Sequence, residues 1–407
     1  MGKVYDSLMD VGLSSEPRVV PLFTDEPNFH NYFTVPNEVA GEKYEIEDIY
    51  GQGFDKNKEI SRIKSVGEML ERLCLSNPKS DFKISKYKEG ENFVSPSSFF
   101  CYSREQVSSL EEKRKELDRG EYRWIKTKKL PNGEDIYVPA QMVFLSRDFS
   151  DEYALRKEQI STGAALGKSG ENRAFKTGFL ESIERDAIMG FYLKKIKERK
   201  MFDFSDKIQG LIDYLERYQL ETHIFDATTD LGIPSIFALT LDYTGLGEAV
   251  NVGSSSDLDY EKAIEKSITE SIQCRRIGRV SKDFLNARSI NESEINSLET
   301  RLIYWRDLDR IENVRHLIDE KPHVSFKKIP KKKISLEEAI RNISSRDFNI
   351  LVADITLPEL KKQGFEALKV VIPELHTLYL DEGAKSLYSF HYGEILDDPK
   401  LKPHPVT

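Results

Sequence analysis

The chain has 407 residues, 39% apolar and 32% charged, enough for a large core under a well-solvated surface, as one elaborate domain or two fused ones. A net charge of -9 excludes a protein whose main task is neutralising nucleic-acid phosphates, though not one that meets phosphates through a metal. No stretch approaches a membrane span, the start Met1-Gly-Lys-Val-Tyr-Asp6 lacks a signal-peptide pattern, and Cys74, Cys101 and Cys274 have neither disulfide nor zinc spacing. A cytoplasmic protein with reduced thiols is expected, with no nucleic-acid or membrane partner.

Residues 1–50 scatter Pro17, Pro21, Pro27 and Pro36 among aromatics, which predicts an irregular extension packed on the body. After Gly51-Gln-Gly53, the spacing of Ile60, Ile63, Val66, Leu70 and Leu73 predicts a helix over 57–75, with Glu68 and Glu71 on one side. Alternation around Leu130-Pro-Asn-Gly133 predicts a hairpin of 122–128 with 136–144. Ser161-Thr-Gly-Ala-Ala-Leu-Gly167 reads as a small-residue loop that brings backbone N–H groups and Ser161 to the start of a helix over 171–198, where anions bind well. On that helix Glu181 and Glu184 stand three apart among Phe179, Leu180 and Ile183, and charges on a semi-buried face need a partner or a metal. Strands are expected over 221–227 and 235–241 around the turn Asp230–Pro234, and the loop Gly253–Asp259 precedes a third helix bearing Glu270, Gln273 and Arg275. A basic linker over 327–333, a capping-box helix from Ser335, and strands over 349–355 and 369–372 lead to the tail Lys402-Pro-His-Pro-Val-Thr407.

With 69 acidic residues, pairs three apart also arise as plain solvated helix faces. If Glu68, Glu71, Glu181, Glu184 and Glu270 line one site, however, their mutual repulsion calls for divalent cations. Mg2+ takes hard oxygen ligands and shares them with substrate phosphates, so the residues point to ATP handled with Mg2+. P-loop and kinase motifs are absent, and the seven histidines never pair at metal-ligand spacing.

Four ordered blocks resemble the YcaO family over about residues 50–380: Gly51-Gln-Gly53 with Gly67-Glu-Met-Leu-Glu-Arg72; Ser161–Gly167 with Leu180-Glu-Ser-Ile-Glu-Arg-Asp186; Asp226-Ala-Thr-Thr-Asp-Leu-Gly-Ile-Pro234; and Ala263 through Arg275. The resemblance implies an α+β fold of mixed and antiparallel sheets packed with helices, with an ATP site lined by acidic helices. It implies a catalytic domain over 51–395, an extension over 1–50 and a proline-bearing tail over 396–407 near the active site. Mg2+ is expected at Glu68, Glu71, Glu181, Glu184 and Glu270, and ATP at Ser161, Thr162, Glu68, Glu181, Gln273 and Arg275, with Glu184, Arg185, Arg275 and Pro405 in catalysis. Gln52 and Thr162 depart from the Lys and Asn that the family often has there.

The activity implied is ATP-dependent activation of a peptide amide in a ribosomally made precursor. Pro403-His-Pro405 and Val370-Val-Ile-Pro-Glu-Leu375 resemble the branch that converts Cys, Ser or Thr to thiazoline or oxazoline. An E1-like or leader-peptide-binding partner protein is expected, and an FMN-dependent dehydrogenase acting afterwards. The alternatives are thioamide formation from an external sulfur source with a partner protein, and a non-catalytic scaffold that keeps the fold.

Overall fold

The computed structural model describes residues 2–44, 49–78, 82–145, 149–156, 158, 161–280, 287–329 and 333–406, leaving aside the side chains at 277, 278 and 280. The chain begins with helix α1 (Gly2–Met9), strands β1 (Arg18–Val19) and β2 (His30–Thr34) and helix α2 (Glu38–Tyr44). β2 pairs antiparallel with both β1 and β3 (Gly51–Asp55). The expected irregular extension is therefore corrected: its prolines lie outside the strands, and the residues between them supply two strands of a three-stranded sheet. Helix α3 (Lys58–Ser76) follows, with the Asn57 side chain accepting from the N–H groups of Glu59 and Ile60. The apolar period read from the sequence is its buried side, with Val66, Met69, Leu70 and Leu73 wholly inside.

Strand β4 (Lys83–Lys86), helix α4 (Leu110–Arg119) and the hairpin β5 (Glu121–Leu130) and β6 (Glu134–Pro139) come next, then β7 (Ala164–Lys168) and the long helix α5 (Arg173–Leu193). After β8 (Met201–Phe202) and α6 (Asp206–Glu216), β9 (Leu220–Asp226), β10 (Ser235–Asp242) and β11 (Val250–Ser256) form an antiparallel sheet closed by helix α7 (Tyr260–Val280). Strand β12 (Val324–Ser325) pairs with β8, and β13 (Ile350–Asp354) and β14 (Phe365–Val371) complete a six-stranded sheet of order β4-β5-β13-β14-β7, with β6 paired to β5. Helix α5 is apolar nearly all round because it lies between the two larger sheets, against β7 and β14 on one side and β10 and β11 on the other. The fold is α+β, as expected. Among the described residues no helix is long and apolar enough to cross a membrane.

Two expected loops are strands. Residues 164–168 pair with β14 from Ala164↔Lys369 to Lys168↔Phe365, and α5 starts only at Arg173, so Ser161 does not sit at a helix N-terminus. Likewise residues 253–256 of the loop expected over 253–259 belong to the fully buried strand β11. In both cases small residues serve close packing of a strand on a helix, a role that looks like a flexible loop in composition alone.

The C-terminal residues return to α5. Tyr192 Oη shares its hydrogen between the carbonyls of Lys402 and Pro403, and the buried Arg301 donates to the carbonyl of His404 at 2.6 Å. Nearby, His391 bridges two acids, with Nδ1 2.7 Å from Asp186 Oδ2 on α5 and Nε2 2.8 Å from Asp230 Oδ1. Both ring nitrogens donate, so the ring is an imidazolium. Burial opposes that charge, but the hydrogen bonds and charges of Asp186 and Asp230 outweigh it and raise the His391 pKa above its ordinary value. A raised pKa contributes stability that is whole below about pH 6.5 and is lost as pH rises through the folded-state value. Urea midpoints should fall from about pH 6 to about pH 9 in the wild type and fall less in His391→Gln, and equal slopes would refute the linkage.

Candidate active site

Two strands, β3 and β11, and the turn before β7 lie so close across three helices that a side chain would not fit between them. A Cβ on Gly51 would stand 2.1 Å from the Ser65 carbonyl oxygen of α3, one on Gly253 would stand 2.0 Å from that of Ser267 on α7, and one on Gly178 of α5 would stand 2.2 Å from the Gly163 carbonyl oxygen. The close approach lets a backbone N–H of the strand, or of the turn before it, reach a helix carboxylate one turn on. Gln52 N donates to Glu68 Oε2 at 2.7 Å, Gly163 N to Glu181 Oε2 at 3.0 Å, and Ser254 N to Glu270 Oε2 at 2.7 Å. One turn further along each helix stand Glu71, Glu184 and Gln273. Glu184 is fixed from both sides, accepting from Ser254 Oγ at 2.7 Å and from the Ser256 N–H at 3.1 Å.

A cavity of about 900 Å³ opens between α5, α7, β11 and the β2–β3 side, and Glu181, Glu184, Arg185, Glu270 and Gln273 line one wall. Phe29 and Phe54, stacked with ring centroids 5.0 Å apart, belong to the same lining, as do Lys56, Lys64 and Lys176. The acids repel one another in a medium that solvates them poorly. Burial, then the charge of Glu184, pushes Glu270 up to about 8. Burial, then Glu181 and Glu68, raises Glu71 well above the carboxylate range, and burial also raises Glu68 and Glu181. Arg185 lies 3.9 Å from Glu184 Oε1 and 4.0 Å from Glu181 Oε1, but among the described residues its buried Nε and Nη1 have no hydrogen-bond partner. A guanidinium left with spare N–H groups in a cavity is suited to bind phosphate oxygens.

The donor set fits Mg2+. Among the described residues no three His, Cys, Asp or Glu converge tightly enough to hold an ion alone. Mg2+ does not require that, since it commonly uses one or two carboxylates and takes its other oxygens from phosphates and water.

Of the residues singled out in the sequence, Glu181, Glu184, Arg185, Glu270 and Gln273 come together in the cavity wall. Glu68 and Glu71 stand behind it, Glu68 paired with Arg72 at 2.6 Å and Glu71 within electrostatic reach of Glu181. Thr162 lines a separate, smaller cavity, and Ser161 is exposed outside both. Arg275 is turned away. Its Nε meets Asp242 at 2.7 Å and its Nη1 meets Glu26 at 3.2 Å, and with 2% of its surface exposed it has no face toward the cavity. The expectation of phosphate contact there is corrected, because two buried acids already consume the guanidinium. Pro405 is buried in the tail packed near Tyr192, eight residues or about 12 Å along α5 from Glu184.

Ser254 and Ser256 were not anticipated, although a serine run ahead of an acid-bearing helix was the available signal. Lys369 was also missed. It is 2% exposed, and burial, against the pull of Glu181 and Glu71, lowers it to about 8. A lysine inside the apolar run Leu368-Lys-Val-Val371 is the trace it leaves in the sequence.

A family model described as YcaO cyclodehydratase, ATP- and Mg2+-binding, matches residues 51–376. The chain belongs to the YcaO family. Its fold is similar to that of a heterocyclase in complex with substrate and cofactor, with a TM-score of 0.71 and 17% identity over 99% of this chain, which spans 57% of that one. It is also similar to YcaO from Methanopyrus kandleri bound with AMPPCP and Mg2+, with a TM-score of 0.65 and 16% identity over 98% of this chain and 93% of that one. A third similarity is to the Escherichia coli microcin synthetase McbBCD complex with pro-MccB17 bound, with a TM-score of 0.67 and 14% identity over 96% of each chain. At these identities the likenesses establish the YcaO fold.

Proposed function

We propose that this YcaO protein is an ATP-dependent cyclodehydratase that converts Cys, Ser or Thr of a ribosomally made precursor peptide to thiazoline or oxazoline. The observation that carries the reading is the convergence of Glu181, Glu184 and Glu270 on one cavity with Arg185, whose buried Nε and Nη1 have no acceptor among the described residues. The family description as ATP- and Mg2+-binding supports it, as do the substrate-bound heterocyclase and the peptide-bound synthetase among similar structures.

In this reading the peptide amide oxygen attacks the γ-phosphorus of ATP as the bond to the ADP oxygen breaks, and the neighbouring Cys, Ser or Thr adds to the amide carbon and loses its proton. The C–O bond then breaks with its electron pair on the departing phosphate, and the nitrogen lone pair forms C=N as its N–H proton leaves. One or two of the carboxylates Glu181, Glu184 and Glu270, with Glu68 and Glu71 near them, would hold Mg2+, which would neutralise triphosphate charge. Arg185 binds the phosphoryl oxygens and offsets the charge that grows on them during transfer. Ser254 and the Ser256 N–H hold Glu184 in one rotamer, so no reorganisation is needed at the moment of transfer. The tail over 396–407, with Pro405, borders the approach of the peptide in this proposal, and 51–395 is the catalytic unit. A leader-binding or E1-like partner presents the precursor, and an FMN-dependent dehydrogenase can oxidise the product.

With precursor peptide and partner present, ATP hydrolysis should accompany a peptide mass loss of about one water per ring, following the stoichiometry above. Glu184→Ala should abolish both, and full turnover in that variant would sink the site. Exchange of oxygen for sulfur in the peptide would instead identify a thioamide-forming enzyme.

A further inference from the structure

A smaller cavity of about 40 Å³ is lined by Arg156, Thr162, Ser182, Lys369 and His376, with Ser182 next to Glu181 in α5. Lys369 projects from β14 within electrostatic reach of Glu181 and Glu71, so the space adjoins the acids. Arg156 also lines the next void with Tyr379, whose carbonyl accepts from His404 Nε2 of the tail at 2.7 Å. The small cavity therefore stands between the acids and the tail.

Arg156 is its most telling group. Among the described residues no carboxylate pairs with it, and its buried Nε has no hydrogen-bond partner. A guanidinium N–H withdrawn from water without an acceptor is costly, and a bound anion removes that cost. His376, 2% exposed, faces the Ser386 carbonyl through Nε2 at 2.9 Å. A carbonyl only accepts, so Nε2 carries the hydrogen, and in the neutral ring favoured by burial Nδ1 is an acceptor without a partner among the described residues. Arg156 Nε calls for an acceptor oxygen, whereas His376 Nδ1 calls for an O–H. Monohydrogen phosphate supplies both kinds of group, and neither sulfate nor a carboxylate does.

We propose that this cavity is a binding site for inorganic phosphate, holding the phosphate that departs from the activated amide; the role rests on the reaction proposed above. As the C–O bond breaks and its electron pair stays on the phosphate oxygen, Arg156 and Lys369 stabilise the growing charge. The proton lost from the peptide nitrogen as C=N forms passes to the phosphate, creating the P–O–H that Nδ1 accepts.

Equilibrium dialysis of the full chain with radiolabelled inorganic phosphate tests the site directly. One phosphate should bind per chain, with sulfate competing about tenfold more weakly or worse, and ADP with Mg2+ at saturation should leave it bound. Arg156→Gln and Arg156→Met should each weaken binding about tenfold or more, and Thr162→Val, which removes only a hydroxyl, several-fold. Absence of phosphate binding to the wild-type chain, wild-type binding in folded Arg156 variants, or displacement of phosphate by ADP overturns the proposal. Failure of ADP to bind would instead count against the large cavity as the nucleotide site, and the Arg156 comparison would still decide this one.

Discussion

Arg185→Met should lower ATP turnover about 10³-fold or more, the scale on which an arginine that stabilises a transferring phosphoryl group acts. The side chain reaches the cavity from α5 beside Glu181 and Glu184, yet among the described residues it makes no hydrogen bond through Nε or Nη1. Its carboxylate neighbours lie at 3.9 and 4.0 Å, too far for the short charge-assisted bonds that a purely structural pair would form. The substitution also removes the charge that opposes the raised pKa of Glu181 and Glu270, so turnover is compared per folded molecule. Arg185→Lys keeps the charge but not the planar fork and should recover only part of the rate. Steady-state ATP hydrolysis with precursor and partner provides the measurement, and a methionine variant with more than a tenth of wild-type turnover would remove Arg185 from the phosphate.

Arg275→Met should do the reverse. Here the guanidinium is the centre of a buried network: Glu26 accepts from Arg275 at 3.2 Å, from Arg276 at 3.1 Å and from Arg279 at 3.0 Å, and Asp242 accepts from Arg275 Nε at 2.7 Å. Removing Arg275 leaves Glu26 with Arg276 and Arg279 but takes the guanidinium from the buried Asp242, and breaking a buried pair typically costs about 3–5 kcal/mol. Glu248 compounds the loss, because burial already raises its pKa and Arg275 is the charge that opposes this. Urea denaturation should register that loss, while turnover per folded molecule stays within a few-fold of wild type. An Arg275→Met protein of normal stability and no activity would return this arginine to the phosphate site.

The contrast between the two arginines marks what the sequence could reveal. Helix periodicity put Glu181 and Glu184 on one side of α5 correctly, because side-chain direction on a helix follows from spacing alone. Whether Arg185 or Arg275 faces the same cavity depends on what packs against each helix. The segment at Glu26 that captures Arg275 lies about 250 residues earlier in the chain, and its prolines made it look irregular. The strand residues 164–167 and 253–256 were misread for a related reason. Their glycines, alanines and serines are selected by contact with a helix backbone, and composition cannot separate that from a loop. Lys369 and Arg156 were invisible as a pair because only the sheet and the residues packed on it bring them to one cavity.

The backbone N–H groups that hold Glu68, Glu181 and Glu270 have a bearing on how this protein can change over evolutionary time. A backbone donor persists through any substitution except proline, so the anchoring of the acids depends on a few small residues that keep strand and helix close, and hardly at all on the identity of neighbouring side chains. Most of the chain is thus free to drift while the carboxylates stay aimed, which accounts physically for a fold held in common with the Methanopyrus kandleri protein at 16% identity. Tolerance of this kind lets the surface of the protein diverge quickly around an unmoved set of carboxylates.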